Sequence, residues 1–190
     1  MATIREGNKK VLVVVDAQVG VIEGKWQSPQ VIENINTAVA KARAGSVPVI
    51  WVQHDDDELL HGTAEWQLVP ELVPAEGELH IYKHHNSSFE GTPLEEQLAE
   101  LGASHIVLAG AATNWCIRAT AYAALDRGYD LTLLEDAHTT VESVEFEDGV
   151  VVEAPNVVRE LNMVMNWVSY PGRSNTSLSV DELDFAENDK

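Results

Sequence analysis

Residues 105–128 constrain the fold of this chain more than any other segment. The segment opens with the apolar run Ile106–Ala109, bounded by Gly110, which is typical of a buried strand. From about Asn114 onward, apolar residues recur at helical spacing, and the pattern closes at Arg127–Gly128 with a helix-ending signal. A buried strand that turns directly into a helix is the repeating unit of α/β proteins, so this segment predicts that fold class.

The rest of the chain alternates between strands and helices in the same way. The run Val11–Val15 is continuous and mostly β-branched, as expected for a central parallel strand that is buried on both faces. Further strands are predicted at residues 47–52, 79–83 and 129–134, and further helices at about 28–45, 92–101 and 154–168. Ser28 and Thr92 are the predicted N-caps of the first two of these helices. This alternation predicts a parallel sheet that is covered by helices on both faces.

Length and charge limit the function classes that remain open. The 190 residues suffice for one domain, expected over residues 1–170, and residues 171–190 form a polar, acidic C-terminal arm of that domain, either ordered or partly disordered. The net charge of −19 argues against nucleic acids and membrane surfaces as partners, because both are bound by clustered Lys and Arg. No apolar stretch approaches the length of a membrane span, and a single cysteine fits a reducing compartment. We therefore expect a cytoplasmic protein.

Three chemically active residues fall at the ends of predicted strands. Asp16 follows the first strand, Lys83 ends the third, and Cys116 follows the fourth at a strand-to-helix turn. Parallel sheets bind ligands outside the carboxyl ends of their strands, so these side chains are expected to meet. Each also has a structural alternative: a turn cap for Asp16, a surface lysine for Lys83, and a small buried apolar residue for Cys116.

Together these residue types suit nucleophilic catalysis. The Lys83 ammonium and a helix N-terminus would stabilise a Cys116 thiolate, and Asp16 could accept the thiol proton and later deliver it to a leaving amine. Backbone N–H groups of the turn could hold the oxyanion of a tetrahedral intermediate. The predicted reaction is attack on an amide-type carbonyl, followed by hydrolysis of a thioester.

Four stretches carry a resemblance to a known family. Val13–Gln18, Lys83, Gly110–Cys116 and Gly128–Thr132 resemble the isochorismatase-like cysteine hydrolase superfamily, which includes nicotinamidases and carbamoylsarcosine amidases, over residues 10–170. The resemblance implies a Rossmann-like three-layer α/β/α fold with a central, mostly parallel sheet of about six strands.

The same resemblance implies the site residues. It assigns a catalytic triad to Asp16, Lys83 and Cys116, a cis peptide bond to Ala111–Ala112, and an oxyanion hole to the backbone N–H groups of Ala112 and Cys116. It also implies a small-molecule substrate and a homodimer or homotetramer.

The presence of a cysteine at position 116 favours one of the activities found in this family over the others. Cys116 favours hydrolysis of a C–N bond in an amide, ureido or lactam-like compound through a thioester, with no cofactor. An isochorismatase-type vinyl-ether hydrolase that uses Asp16 and Lys83, and a non-catalytic binding protein on the same fold, remain as alternatives.

Metal-binding relatives carry an Asp-x-His pair and a further histidine after the second strand. Here His54 precedes three acidic residues and His61 follows, so the order and spacing do not match, and we predict no tightly bound catalytic metal. His54, His61, His84 and His85 are interpreted as polar loop residues.

Substrate contacts are less constrained by sequence. The candidates for the substrate pocket are Gln18, Trp26, Phe89 and Trp115, because they lie close in sequence to the triad or in loops that could cover it. Packing in the core or at an oligomer contact is the alternative for the tryptophans.

Overall fold

The computed structural model describes residues 2–185, and within them the chain forms one central sheet with helices on both sides. The strands are β1 (Lys9–Val15), β2 (Val49–His54), β3 (Leu79–Lys83), β4 (Ala103–Ala111), β5 (Asp130–Thr139), β6 (Ser143–Glu145), β7 (Val151–Glu153) and β8 (Asn175–Leu178). The helices are α1 (Val19–Ile22), α2 (Ser28–Ala44), α3 (Leu94–Leu101), a π-helix (Thr113–Ile117), α4 (Arg118–Asp126) and α5 (Ala154–Trp167).

The main sheet has six strands in the order β3-β2-β1-β4-β5-β8, and every neighbouring pair is parallel. Strands β6 and β7 pair separately as an antiparallel hairpin. The predicted α/β class, the three layers and the number of strands in the main sheet are confirmed.

The strand β1 shows how sequence produces the layers. All five residues of Val11–Val15 are buried, and successive side chains point to opposite faces. Val11, Val13 and Val15 pack in the core beneath α3, α4 and α5, whereas Leu12 and Val14 pack beneath α1 and α2. A continuous apolar run is therefore required, because both faces of this strand are covered.

The C-terminal arm is more ordered than one of the two predicted alternatives allows. Its segment Asn175–Leu178 is β8, the sixth strand of the main sheet, which pairs with Leu131–Leu134 of β5. Lys41 Nζ then donates hydrogen bonds to the carbonyl groups of residues 180, 181 and 183, at 2.8, 3.1 and 3.1 Å. Residues 186–190 lie outside the described part of the chain.

One of the two predicted N-caps is wrong, and the other is supported. The residue that precedes α2 is Gln27, in a left-handed conformation, and Ser28 already belongs to the helix. Helix α3 begins at Leu94, after Pro93. The Thr92 hydroxyl oxygen accepts the N–H of Leu94 at 3.3 Å, as expected of an N-cap, and the hydroxyl donates to the carbonyl of Ser88 in the preceding loop.

Strand β5 continues to Thr139, beyond its predicted end at Leu134. A register shift between Leu108 and Gly110 of β4 lets the pairing resume at His138 and Thr139. No helix within residues 2–185 combines the length and the apolar character needed to cross a lipid bilayer.

Candidate active site

The predicted catalytic residues converge at the carboxyl edge of the main sheet, beside the point where its winding reverses. Strands β1 and β4 are neighbours there, and the chain proceeds outward from them in opposite directions. Asp16 follows β1, Lys83 is the last residue of β3, and Cys116 lies in the π-helix after β4. Open α/β sheets bind their ligands at such a reversal, so the fold places these residues where a site is expected.

Gly110 allows β1 and β4 to approach each other at this edge. Its φ is +126°, and a Cβ at this position would lie 1.9 Å from the carbonyl oxygen of Val15. Val15 and Gly110 are partners in the sheet register, directly before Asp16 and the turn that carries Cys116. A side chain at position 110 would therefore push apart the two strands that carry the carboxylate and the thiol.

Lys83 lies between Asp16 and Cys116. Its Nζ is 2.7 Å from Asp16 Oδ2 and 3.2 Å from Cys116 Sγ. All three side chains are buried, and Asp16 has a left-handed φ of +50°, which aspartate tolerates better than most residues. Among residues 2–185, nothing donates a hydrogen bond to the buried Asp16 Oδ1, so this oxygen is available as a proton acceptor.

Burial dominates the electrostatics of this trio. It raises the pKa of Asp16 above its ordinary value, although the Lys83 ammonium acts in the opposite direction. Burial, reinforced by the Asp16 charge, raises the pKa of the Cys116 thiol to about 12, against the opposing effect of Lys83. Lys83 thus favours the thiolate, as expected, but the effect of burial on the pKa of Cys116 is larger.

The turn after β4 presents Cys116 on a π-helix. The carbonyl group of Ala112 accepts hydrogen bonds from the N–H groups of Trp115 and Ile117, at 3.0 and 3.1 Å. The Ala111–Ala112 peptide bond is cis. Ala112 directly precedes the π-helix and Cys116 lies within it, so the two predicted oxyanion donors belong to one turn.

His54 is part of the site, and its interpretation as a polar loop residue is wrong. It is the last residue of β2, and its Nδ1 lies 3.2 Å from Lys83 Nζ. Its Nε2 lies 2.9 Å from Asp56 Oδ2. The imidazole therefore connects the buried ammonium to a carboxylate at the protein surface.

A second group of contacts supports the π-helix from β5 and α5. The Thr113 hydroxyl lies 2.8 Å from Nδ1 of His138, whose Nε2 lies 2.8 Å from Asn162 Oδ1. The Thr140 hydroxyl donates to Asn114 Oδ1 at 2.7 Å. Burial lowers the pKa of His138 to about 4, so its ring is neutral at physiological pH.

The candidates for the substrate pocket have different environments. Gln18 is buried, and its amide is hydrogen-bonded to the backbone of His54 and to the Trp66 carbonyl, so it supports the site without facing a substrate. The structure also corrects the assignment of Phe89 to the substrate pocket. Phe89 packs in the core, and its ring centroid lies 5.9 Å from that of Tyr129.

Trp26 and Trp115 differ from these two residues. Trp26 is half-buried, and its backbone is hydrogen-bonded to Thr139 and Thr140 at the end of β5. Trp115 is 59% exposed and directly precedes Cys116, so it lies at the rim of the site. Asn86, which was not predicted, comes within 3.9 Å of Cys116 Sγ from the loop after β3.

The residues near the triad do not fit a metal centre. His54 pairs with Asp56, whereas His61 pairs separately with Asp55, at 3.3 Å. Within residues 2–185, no three His, Cys, Asp or Glu side chains are grouped to hold an ion.

The missed residues differ in how far sequence could have revealed them. His54 ends a predicted strand region, so the same edge argument that selected Lys83 applies to it. His138 and Thr140 lie beyond the predicted end of β5, and no pattern in the sequence marks them.

Comparisons with known proteins identify the family of this chain. The isochorismatase domain matches residues 10–154. A secreted isochorismatase effector from Verticillium dahliae is 36% identical over 134 residues, which are 67% of this chain and 70% of that protein. Ureidoacrylate amidohydrolase RutB from Klebsiella pneumoniae is 34% identical over 139 residues, 56% of this chain, and the match spans only 59% of RutB.

Solved structures share the fold over nearly the whole chain. A cysteine hydrolase from Pseudomonas syringae superposes with a TM-score of 0.84 at 20% identity, covering 92% of this chain and 90% of that one. N-carbamoylsarcosine amidase from Thermoplasma acidophilum superposes with a TM-score of 0.71 at 26% identity, covering 92% and 98%. The matched domain, the shared sheet and the sequence identity together establish that this chain belongs to the isochorismatase family of hydrolases.

Proposed function

We propose that this chain is a cysteine amidohydrolase that cleaves a C–N bond of a small amide, ureido or lactam-like molecule through a thioester. Asp16 is the proposed general base and acid, Lys83 the charge that organises the site, and Cys116 the nucleophile. The observation that carries the proposal is the position of the buried Lys83 Nζ, which lies within hydrogen-bonding distance of both Asp16 Oδ2 and Cys116 Sγ.

In the first half of the reaction, sulfur attacks the substrate carbonyl while the thiol proton passes to Asp16. A base with a raised pKa suits this transfer, because the buried thiol also holds its proton tightly. The backbone N–H groups of Ala112 and Cys116 stabilise the oxyanion of the tetrahedral intermediate. Asp16 then protonates the leaving nitrogen, the C–N bond breaks, and a thioester on Cys116 remains.

In the second half, Asp16 takes a proton from water, and the resulting hydroxide attacks the thioester. The second tetrahedral intermediate uses the same oxyanion donors. It expels the Cys116 sulfur, which recovers its proton from Asp16, and the acid product leaves. The Lys83 ammonium, within hydrogen-bonding distance of both groups, offsets the negative charge that moves between the carboxylate and the sulfur.

The sulfur distinguishes this reaction from vinyl-ether hydrolysis, which needs a proton donor and no covalent nucleophile. Cys116 is buried beside both partners, a placement that a reaction without a nucleophile would not require. Among the relatives, RutB is named for amide hydrolysis and the Thermoplasma structure is an amidase, which supports a C–N bond as the target.

A panel of primary amides, ureides and lactams, assayed for ammonia or ring opening, tests the proposal. We expect at least one compound to be turned over, and Cys116→Ala to lower the rate by roughly 10⁴-fold or more, since it removes the nucleophile. Intact-mass spectrometry should detect an acyl adduct on the wild type and none on Cys116→Ala, which places the adduct on the cysteine.

The panel includes isochorismate to test the alternative activity. Turnover of isochorismate that survives in Cys116→Ala would replace the proposal with a vinyl-ether hydrolase. Full amidase activity in Cys116→Ala would refute the thioester mechanism.

A further inference from the structure

We infer that His54 is a positioning residue for Lys83: it accepts the third hydrogen bond of the buried ammonium, and Asp56 holds it in the tautomer that can do so. The inference rests on the proposed function for its kinetic consequence, but its structural part concerns only Lys83 and the Cys116 thiol. It gives a role to a histidine that the triad does not include.

The donor count of Lys83 leads to this role. A protonated lysine has three N–H donors and no acceptor. Three acceptors surround Nζ in this fully buried position: Asp16 Oδ2 at 2.7 Å, Cys116 Sγ at 3.2 Å and His54 Nδ1 at 3.2 Å. Each N–H thus has one partner, and the ammonium cannot turn without losing a contact. Without His54, one donor would be buried and unsatisfied.

The same count of donors fixes the tautomer of His54. Because the ammonium can only donate, Nδ1 must accept, and the ring proton must therefore be on Nε2. Nε2 then donates to Asp56 Oδ2 at 2.9 Å. Asp56 Oδ1 accepts the N–H groups of Glu58 and Leu59, both at 2.8 Å, and these hydrogen bonds hold the pKa of Asp56 below its ordinary value. Asp56 is thus a fixed carboxylate.

The backbone of His54 is held as firmly as its ring. The Gln18 side chain accepts the His54 N–H at 2.7 Å and donates to the His54 carbonyl at 2.9 Å. Lys83 is the register partner of His54 across the β2–β3 pair. Gln18, two residues after Asp16, therefore ties the end of β2 to the strand that carries the general base. His54 is therefore fixed relative to both Lys83 and Asp16.

Loss of the imidazole should loosen the contact between Lys83 and the Cys116 sulfur. The ammonium is the one group that favours the thiolate in this site, against burial and Asp16. A weaker contact makes the thiolate rarer and its alkylation slower. His54→Asn is the conservative variant, because its amide oxygen can take the place of Nδ1 as acceptor. His61→Ala is the matched control, since His61 also pairs with an aspartate but is not a hydrogen-bond partner of Lys83.

The experiment measures alkylation of Cys116 by iodoacetamide at pH 9 on the full chain, followed by intact mass. We expect His54→Ala to be about five- to tenfold slower than wild type, as the loss of one charge-assisted hydrogen bond implies. His54→Asn and His61→Ala should stay within about twofold of wild type. With any substrate from the panel, His54→Ala should lower kcat and leave KM unchanged. Alkylation needs no substrate, so failure of the proposed function leaves this test intact.

A double-variant comparison separates positioning from simple access to the thiol. If His54 acts through Lys83, His54→Ala should have no further effect on alkylation in a Lys83→Met background. An equal change in both backgrounds, or a wild-type rate in His54→Ala, would overturn the inference. If Lys83→Met does not fold, the pair His54→Ala and His54→Asn decides, because equal rates in these two variants contradict the role of the acceptor.

Discussion

Two sets of contacts hold the site, one on each side of Cys116, and they differ in charge. The ammonium side consists of Asp16, Lys83, His54 and Asp56, on the ends of β1, β2 and β3 and the loop after β2. The turn side consists of Thr113, Asn114, His138, Thr140 and Asn162, which join the π-helix to the end of β5 and to α5. Three of the four groups in the first set are ions and the fourth is a neutral imidazole, whereas the second set consists of neutral hydrogen-bonding groups.

The two sides also differ in their access to water. On the ammonium side, exposure rises from 0% for the Lys83 side chain to 45% for Asp56. On the turn side, His138 is 1% exposed, and burial lowers its pKa to about 4. The Asn162 amide donates to the Glu135 carbonyl, so its oxygen accepts the His138 Nε2 proton, and the Thr113 hydroxyl donates to Nδ1.

This difference matches what each side must do. Protons move between Asp16 and Cys116 on the ammonium side during the proposed reaction. The neighbouring ions offset each change of charge and so make these transfers possible. The turn side has to keep the backbone N–H groups of Ala112 and Cys116 in place while the charge of the substrate changes. Neutral hydrogen bonds suit this task, because they do not respond strongly to a nearby proton transfer.

The largest expected effect comes from removing the cation of the ammonium side. Lys83→Met leaves Asp16 buried without a counter-ion, which typically costs about 3–5 kcal/mol of unfolding free energy. Removing the partner carboxylate as well, in Asp16→Asn/Lys83→Met, should recover most of that loss, because no buried charge remains. Urea unfolding of the wild type, both single variants and the double variant measures the coupling. Additive losses would contradict the view that these two charges stabilise each other.

The same variant has a pH dependence of defined sign. Burial already raises the pKa of Asp16 in the wild type, and loss of Lys83 removes an effect that lowers it. A carboxyl group whose pKa is higher in the folded state stabilises the fold below its unfolded pKa, and this stability is lost as pH rises through the folded pKa. Relative to wild type, Lys83→Met should therefore be less destabilised at pH 5 than at pH 8. The opposite order would mean that Asp16 stays ionised without its partner.

The next effect concerns the turn side and has the opposite sign. His138 has a pKa of about 4 in the folded state, below its ordinary value of about 6.5, so the unfolded chain binds more protons between these values. Its contribution to stability is complete above about pH 6.5 and falls by about 3 kcal/mol as pH drops toward 4.

The comparison of wild type with His138→Gln isolates this contribution, because the carboxylates that titrate in the same range are common to both proteins. The difference in unfolding free energy should shrink on acidification from pH 7 to pH 4.5. A difference that does not vary with pH would show that the His138 ring takes up a proton inside the fold.

Sequence reasoning finds the ammonium side far better than the turn side, and the reason is physical. Asp16 and Lys83 lie at the ends of apolar runs, so strand patterning and parallel topology bring them to one edge. His138 is close to Thr113 only because β5 continues past Leu134 after a register shift in β4. Such a shift is set by pairing between distant segments, and the local pattern carries no signal for it.

Burial is the second limit of the sequence argument. Residue types and order along the chain predict that Lys83 would stabilise a thiolate on Cys116. The sign of the pKa shift depends instead on how far water is excluded, and Cys116 is only 8% exposed. The sixth strand is a third case, because Asn175–Leu178 is polar at three of its four positions and half-buried throughout, so its sequence does not alternate as a strand should.

The smallest expected effect is the loss of one hydrogen bond on the turn side. Thr140→Val keeps the shape of the side chain but removes the hydroxyl that donates to Asn114 at 2.7 Å, which should cost about 1 kcal/mol of unfolding free energy. Because Asn114 belongs to the π-helix that carries the nucleophile, kcat should also fall, by about threefold to tenfold. The matched control is Thr132→Val on β5, the strand that Thr140 directly follows; its hydroxyl lies 2.8 Å from His105 Nε2, far from the carboxyl edge. It should lose similar stability and keep its kcat. If both variants keep full turnover, the hydrogen bonds of the turn side stabilise the fold without positioning the nucleophile, and the division of roles between the two sides fails.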